Sequence, residues 1–192
     1  GLYLLRSYRR FIQKLDDFED EADSIAAIND NARMIWQQII YVNRINKHFW
    51  EGTFAEGIRM IPEVERYIRD YGTELDIHHR MVLCYKIACL YFGHGDYRKC
   101  MDYLGRIISD PRIHRDLQCY ARILNLIASY EAGIDYNLDY QVRSVCLFLV
   151  KMNDMHQVQQ EIMAFLKRLN SMYATNLKEE LRQLYERLKP LE

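Results

Sequence analysis

Apolar residues recur at steps of three and four positions along almost the whole chain, and this spacing is the strongest constraint on its fold. One such set comprises Tyr97, Cys100, Met101, Leu104, Ile107 and Ile108. Steps of this size place side chains on one face of an α-helix. No segment of useful length alternates apolar and polar residues, which is the pattern of a half-buried strand. Because only three prolines and eight glycines occur in 192 residues, long stretches can stay helical without interruption.

Regular breaks divide this pattern into predicted helices. Gly52 and the glycine-containing turn at 93–96 are typical of helix ends. Thr53 with Glu56 predicts a capping box at the start of the next helix, and Pro62 predicts a kink or a break within that helix. The predicted helices cover residues 1–15, 18–29, 31–51, 54–70, 75–93, 97–109, 115–132, 138–152, 155–171 and 176–189.

Short turns between helices of similar length favour antiparallel neighbours. A single helix pair cannot bury its apolar face alone, and stacking pairs side by side solves this problem. The predicted fold is therefore all-α, an α-solenoid of antiparallel helix hairpins. We expect N-terminal helices and an acidic segment in residues 1–30, and helical repeats with a C-terminal helix pair in residues 31–192, within a single structural domain. The start at Gly1 fits a fragment of a longer protein or a cleaved tag.

The stretch from Met81 to Pro111 carries the most specific motif of the chain. It combines a small residue in the first helix (Ala88), the turn Gly95-Asp96-Tyr97, and a small residue in the second helix (Cys100). This stretch resembles one tetratricopeptide unit, in which small residues let two helices approach and proline stops the second helix.

Two weaker copies of the same pattern flank this unit. One covers residues 38–71, and a degenerate third copy begins near Tyr120. The helices predicted at 155–171 and 176–189 form a fourth pair or a cap. The resemblance to tetratricopeptide repeats therefore implies a TPR-like right-handed superhelix built from successive hairpins.

In the proteins that this chain resembles, the first helices of successive hairpins line a groove that holds an extended peptide or a partner helix. Carried over by position, the partner-binding residues are Asn46, Phe49, Tyr85, Cys89, Arg122, Asn125 and Ser129. Amide and hydroxyl groups can bond a peptide backbone, and a guanidinium can hold a carboxylate. As an alternative, another helix of the same chain, such as residues 1–15, fills the groove. The resemblance implies a non-catalytic scaffold that binds a protein or peptide partner.

The sequence contains no motif of catalysis or cofactor binding. A Gly-rich phosphate loop, GxSxG, HExxH, paired CxxC and a calcium loop are all missing, so we expect neither an enzyme nor a bound cofactor. Glu74, His78 and His79 are the best metal candidate, but no further ligand is near, and solvated side chains are the simpler interpretation. Reduced core thiols are predicted for Cys84, Cys89, Cys100, Cys119 and Cys146.

The charges are nearly balanced, with a formal net charge of −1, which argues against a dedicated nucleic-acid binder. The sharpest local feature is the acidic run Asp16, Asp17, Glu19, Asp20, Glu21 and Asp23. Two interpretations stay open for it. The run is either a solvated helix start, where carboxylates oppose the positive end of the helix dipole, or a docking strip for a basic partner.

A second functional hypothesis rests on two arginine clusters. These comprise Arg6, Arg9, Arg10, Arg106, Arg112 and Arg115. If they converge on one face, the chain is a regulatory nucleic-acid-binding module whose binding falls steeply with salt. The longest apolar runs, 87–92 and 145–150, are too short to span a bilayer, and no secretory signal is visible. These features predict a cytoplasmic protein without a membrane partner.

Overall fold

The computed structural model describes residues 2–21, 29–72, 74–134, 138–150, 160–162, 164–165, 182–184 and 186–187. Within these ranges the chain is helical or in turns and contains no β-strand, which confirms the all-α class. The helices with defined bounds are α1 (Leu2–Asp20), α2 (Asp30–Glu51), α3 (Phe54–Arg59), α4 (Ile61–Asp70), α5 (Ile77–His94), α6 (Tyr97–Ile108), α7 (Arg115–Glu131) and α8 (Leu138–Val150). The short ranges after residue 160 are also helical and fall inside the helices predicted at 155–171 and 176–189.

The chain divides into two compact units, Gly1–Ile113 and His114–Glu192. The segment boundary at residue 30 within a single domain stays a prediction. In the structure, α1 packs against α2 inside the first unit. Helix α1 is continuous, so the predicted break between residues 15 and 18 is wrong. Neither proline nor glycine interrupts the chain there, and the buried Leu15 keeps the helix against its neighbour.

Contacts near both ends show that α1 runs antiparallel to α2. Near the start of α1, the Tyr8 hydroxyl donates to the Glu51 carboxylate, and its ring stacks on Trp50 at a centroid distance of 6.0 Å. Near the end of α1, the indole N–H of Trp36 donates to the carbonyl of Phe18 at 3.1 Å.

Helix α2 also forms the first limb of a hairpin whose second limb is α3 followed by α4. Phe49 meets Phe54 beside the turn, with ring centroids 5.9 Å apart. Farther from the turn, the rings of Tyr41 and Tyr67 lie 5.2 Å apart. Residues farther from the turn on one limb contact residues farther from the turn on the other, so the two limbs are antiparallel.

Two local predictions about this hairpin have different outcomes. The break predicted at Pro62 is confirmed, because Met60 ends α3 and Pro62 lies in the first turn of α4, where its missing N–H has no intrahelical partner to lose. The capping box of Thr53 and Glu56 is wrong. Thr53 makes no side-chain cap bond, and its hydroxyl instead lies 2.8 Å from Nδ1 of His48.

Helices α5 and α6 form a second hairpin around the predicted turn. Gly95 has a φ of 87°, a left-handed conformation that favours glycine. Asp96 caps α6 by accepting a hydrogen bond from the Lys99 N–H at 3.2 Å. The rings of Tyr91 and Tyr103 stack 5.8 Å apart and join the two limbs.

Glycines let α3 and α5 approach each other closely. Gly57 is buried, and a Cβ placed there would lie 2.7 Å from Cδ2 of Leu90. A Cβ on Gly93 would meet the ring of Phe54 at 2.5 Å. The fully buried side chains of the first unit include Ile45, Val64, Leu83, Ile87, Leu90, Cys100, Leu104 and Ile107.

In the second unit, α7 and α8 form a further antiparallel pair. The guanidinium of Arg122 lies over the ring of Phe148 at 4.4 Å, and Gln141 donates to the hydroxyl of Ser129 at 3.3 Å. The buried core of this unit comprises Cys119, Ile123, Leu126, Val142, Val145 and Phe165.

Replacing Gly57 with alanine is expected to lower the free energy of unfolding by about 1–2 kcal/mol. The new methyl group would overlap the Leu90 side chain and crowd His48, whose nearest atoms lie at 3.1 and 3.2 Å. Overpacking typically destabilises by about 1–3 kcal/mol, and the better helix propensity of alanine offsets part of this effect. Urea unfolding followed by circular dichroism measures the difference.

Gly105→Ala in α6 is the matched control, because nothing lies within 4 Å of the Cβ position at this glycine. This substitution is expected to stabilise the protein by about 0.5–1 kcal/mol through helix propensity alone. Equal effects of the two alanines would contradict the close packing of α3 on α5.

Candidate interaction surface

One face of α2 carries large apolar side chains that are exposed. Ile35, Ile39 and Trp50 expose 46%, 41% and 52% of their surface. Their spacing places them on the same side of the helix as Asn46, one of the predicted partner-binding residues. We call these four residues the α2 stripe. Exposed apolar side chains along one helix face, with a hydrogen-bonding group among them, are typical of an interaction site.

Asn46 connects the α2 stripe to α5. Its Oδ1 accepts a hydrogen bond from the Lys86 ammonium at 2.6 Å. Burial lowers the pKa of Lys86, since a partly dry environment disfavours the charged form of an amine. Among the described residues no carboxylate lies within ion-pair distance of Lys86. The polar partner that the structure gives this cation is therefore a neutral amide.

The structure also describes the other predicted residues of the first unit. Tyr85 and Cys89 on α5 are both half-buried and hydrogen-bonded to each other. Burial raises the pKa of the Cys89 thiol to about 11. Phe49 on α2 is half-buried and packs edge-on against Phe54. All four predicted residues thus lie on α2 and α5, which are in contact.

The predicted residues of the second unit, Arg122, Asn125 and Ser129, share one face of α7 by their spacing. Burial lowers the pKa of Arg122, whose guanidinium covers the ring of Phe148. Ser129 is only 3% exposed, and its hydroxyl donates to the carbonyl of Ile134 at 2.9 Å. A buried hydroxyl committed to the end of α7 is poorly placed to bind a partner, which the sequence alone did not indicate.

The sequence did not predict a groove that lies between α1 and α2 and has a volume of about 560 Å³. Its lining combines the apolar side chains of Phe11, Leu15, Phe18 and Ile39 with the polar side chains of Lys14, Asp17, Glu21 and Asn43. The signal for this α1–α2 groove was present, because residues 11, 15 and 18 have helical spacing. Because a helix break was predicted after residue 15, residue 18 was assigned to a different helix, and the face that these three residues share was not recognised.

The position of the acidic run overturns one of its two interpretations. A helix start would place the carboxylates near the positive end of the helix dipole. Instead, Asp16 to Asp20 occupy the end of α1, Glu21 follows directly after it, and the first turn of α1 holds no acidic residue. Glu19 is paired with Arg44 at 2.8 Å, and Asp23 lies outside the described residues.

Two arginines of the proposed nucleic-acid hypothesis are engaged in contacts within the chain. The guanidinium of Arg106 lies 4.3 Å from the ring centroid of Tyr103. Arg112 donates two side-chain hydrogen bonds to Asp110, at 2.9 and 2.7 Å, and this contact lowers the pKa of Asp110 to about 2. No specific observation therefore favours the nucleic-acid alternative.

The metal candidate of the sequence is not assembled in the part of the chain that the structure describes. No group of three His, Cys, Asp or Glu side chains there could hold a metal ion. His79 instead lies 3.9 Å from Asp76, whose carboxylate accepts from the N–H groups of His78 and His79 and so caps α5.

Comparisons with known proteins leave the family open. The chain matches no protein-family model, no curated protein and no solved structure. Among the helices in the described ranges, none combines the length and the apolar character needed to cross a bilayer.

Buried thiols are expected to make the fold less stable as the pH rises from about 9 towards 11. Burial raises the pKa of Cys89 and Cys119 to about 11 and that of Cys100 to about 12, from an ordinary value of 9.0. The unfolded chain ionises these thiols first, so their contribution is complete below pH 9 and is lost as the pH approaches the folded values. Urea unfolding at a series of pH values measures the loss.

The ultraviolet absorbance of thiolate separates this effect from tyrosine ionisation. The folded protein is expected to show little thiolate at pH 9, whereas the urea-unfolded protein shows about half of its thiols ionised. Identical titration curves for the two states would contradict burial of these thiols.

Proposed function

We propose that this chain is a non-catalytic protein-interaction scaffold with TPR-like hairpins. A peptide or a partner helix binds across the α2 stripe and the half-buried side of α5, in contact with Asn46, Phe49, Tyr85 and Cys89. Arg122 and Asn125 of the second unit stay predictions from the family resemblance.

The observation that carries the proposal is a contact that repeats at a nearly constant offset along the chain. Asn46 of α2 bonds to Lys86 of α5, which lies 40 positions later. Glu65 of α4 accepts from the hydroxyl of Tyr103 of α6, which lies 38 positions later. The first limbs of the two hairpins thus touch each other, and so do the second limbs. This is how helical repeats stack, and it supports a TPR-like interpretation.

The chemistry of the α2 stripe suits a peptide partner. Trp50 and the two isoleucines offer apolar area, and tryptophan is among the residues that most often dominate binding energy. The Asn46 amide and the Tyr85 hydroxyl can bond a peptide backbone. Lys86 adds a positive charge, and the side chain to which it donates in the structure, Asn46, is neutral. A partner segment with apolar side chains and a carboxylate would match all of these groups.

Selection of phage-displayed peptides on the immobilised full chain tests the proposal. The wild-type chain is expected to enrich peptides that combine Leu, Ile or Phe with an acidic residue. Lys86→Glu is expected to abolish the enrichment of acidic peptides, because it replaces the positive charge beside Asn46 with a negative one. Trp50→Ala is expected to weaken the selected peptides about tenfold or more in fluorescence anisotropy, which is the range of an interface hot spot.

Arg98→Ala is the matched control, since Arg98 is exposed on α6, a helix that carries none of the proposed binding residues. It is expected to bind the selected peptides as the wild-type chain does. Circular dichroism must show the same helix content for all variants. Failure to enrich any peptide, or equal binding by Trp50→Ala and the control, would refute the proposed surface.

A further inference from the structure

The exposed side of α1 separates its charges along the helix. Arg10, Lys14 and Asp17 lie on α1, and Glu21 follows its last residue directly. Their steps of four, three and four continue one helix face. All four side chains are exposed. Within the described part of the chain, none of the four is in an ion pair. We call these residues the α1 charge stripe.

The order of these charges is unfavourable within a single helix. The dipole of α1 is positive at its N-terminal end and negative at its C-terminal end, so the carboxylates of Asp17 and Glu21 lie at the end that repels them. A helix lying antiparallel beside the stripe would offset this repulsion with its own positive end. Helix α2 already lies antiparallel to α1, and a second antiparallel helix on the side of the stripe would add to this offset.

The α1 charge stripe borders the α1–α2 groove. Lys14, Asp17 and Glu21 line it together with the apolar Phe11 and Phe18. An occupant of the groove would thus bury apolar side chains while its flank meets the stripe. Apolar contact at the centre with charges at the rim is the usual anatomy of a protein interface.

We propose that the α1–α2 groove is a self-association surface, which takes helix α1 of a second copy of this chain in antiparallel orientation. Arg10 of each copy then faces Glu21 of the other, and Lys14 faces Asp17. Because a two-fold axis repeats every contact, four ion pairs form from these two kinds of contact.

Charge complementarity selects a second copy over an unrelated basic segment. Reading positions 10, 14, 17 and 21 in reverse order exchanges every positive charge for a negative one. A two-fold interface requires this property, because the same patch must complement itself. A purely basic partner would pair with Asp17 and Glu21 but would be repelled by Arg10 and Lys14.

Sedimentation velocity of the full chain over a range of concentrations is the first test. Exposed ion pairs are individually weak and are screened by salt. The dimer is therefore expected to be evident at about 0.01 M salt and to dissociate at least tenfold more readily at about 1 M salt. A chain that stays monomeric at low salt and millimolar concentration would overturn the proposal.

Charge reversal identifies the contacts. The Arg10→Glu, Lys14→Glu double variant carries only negative charges on the stripe, and the Asp17→Lys, Glu21→Lys double variant carries only positive charges. Each is expected to be monomeric alone, whereas an equimolar mixture forms a heterodimer. The quadruple variant, with all four charges reversed, is expected to regain the dimer, because its stripe is again self-complementary.

The matched control reverses two exposed charges on α3, with Glu56→Lys and Arg59→Glu, and is expected to dimerise as the wild-type chain does. Circular dichroism checks that every variant is folded. Dimers of both double variants on their own, or failure of the quadruple variant to regain the dimer, would reject this pairing. If the chain stays monomeric and its α1–α2 groove binds a basic apolar peptide, the surface belongs to a different partner and the proposal is overturned.

Discussion

The close approach of α3 and α5 is the contact on which the rest of the first unit depends. At Gly57 and Gly93 the absence of a Cβ lets the Leu90 side chain and the Phe54 ring occupy space that any other residue would fill. This contact brings the second hairpin against the first and so places α5 beside α2. Without it, Asn46 and Lys86 would not be within hydrogen-bond distance, and the candidate surface would lose its polar centre.

Helix α2 occupies a central position in this arrangement. It contacts α1 on one side, the α3–α4 limb on another, and α5 on a third. A helix with three neighbours has little surface left, and on α2 that remainder carries Ile35, Ile39 and Trp50. Trp50 also stacks on Tyr8, and Ile39 also lines the α1–α2 groove, yet all three side chains stay more than 40% exposed, which is why we assign them to a partner. The α1–α2 groove shares Ile39 with the α2 stripe, so the two proposed interactions meet at this residue.

The sequence predicted the helices best where turn chemistry and apolar spacing agree. The hairpin around Gly95 is such a place, because a left-handed glycine, a capping Asp96 and two apolar faces all indicate the same boundary. Predictions failed where one weak local signal stood alone. Thr53 and Glu56 fit the capping pattern, yet the proximity of His48 gives the Thr53 hydroxyl another partner. The break predicted between residues 15 and 18 had no proline or glycine behind it, and polar residues on the exposed side of a helix do not interrupt it.

The sequence by itself determined that the chain is helical and where most helices end, because these properties depend on spacing and on backbone preference. It also supplied half of the candidate surface through the family resemblance. Only the tertiary structure decided which exposed residues share a surface. Lys86 donates a hydrogen bond to Asn46, and the Ser129 side chain is buried. The described part of the acidic run lies at the end of α1 instead of at the start of another helix. These outcomes depend on which helix lies against which, and contacts between residues distant in sequence leave no local signature.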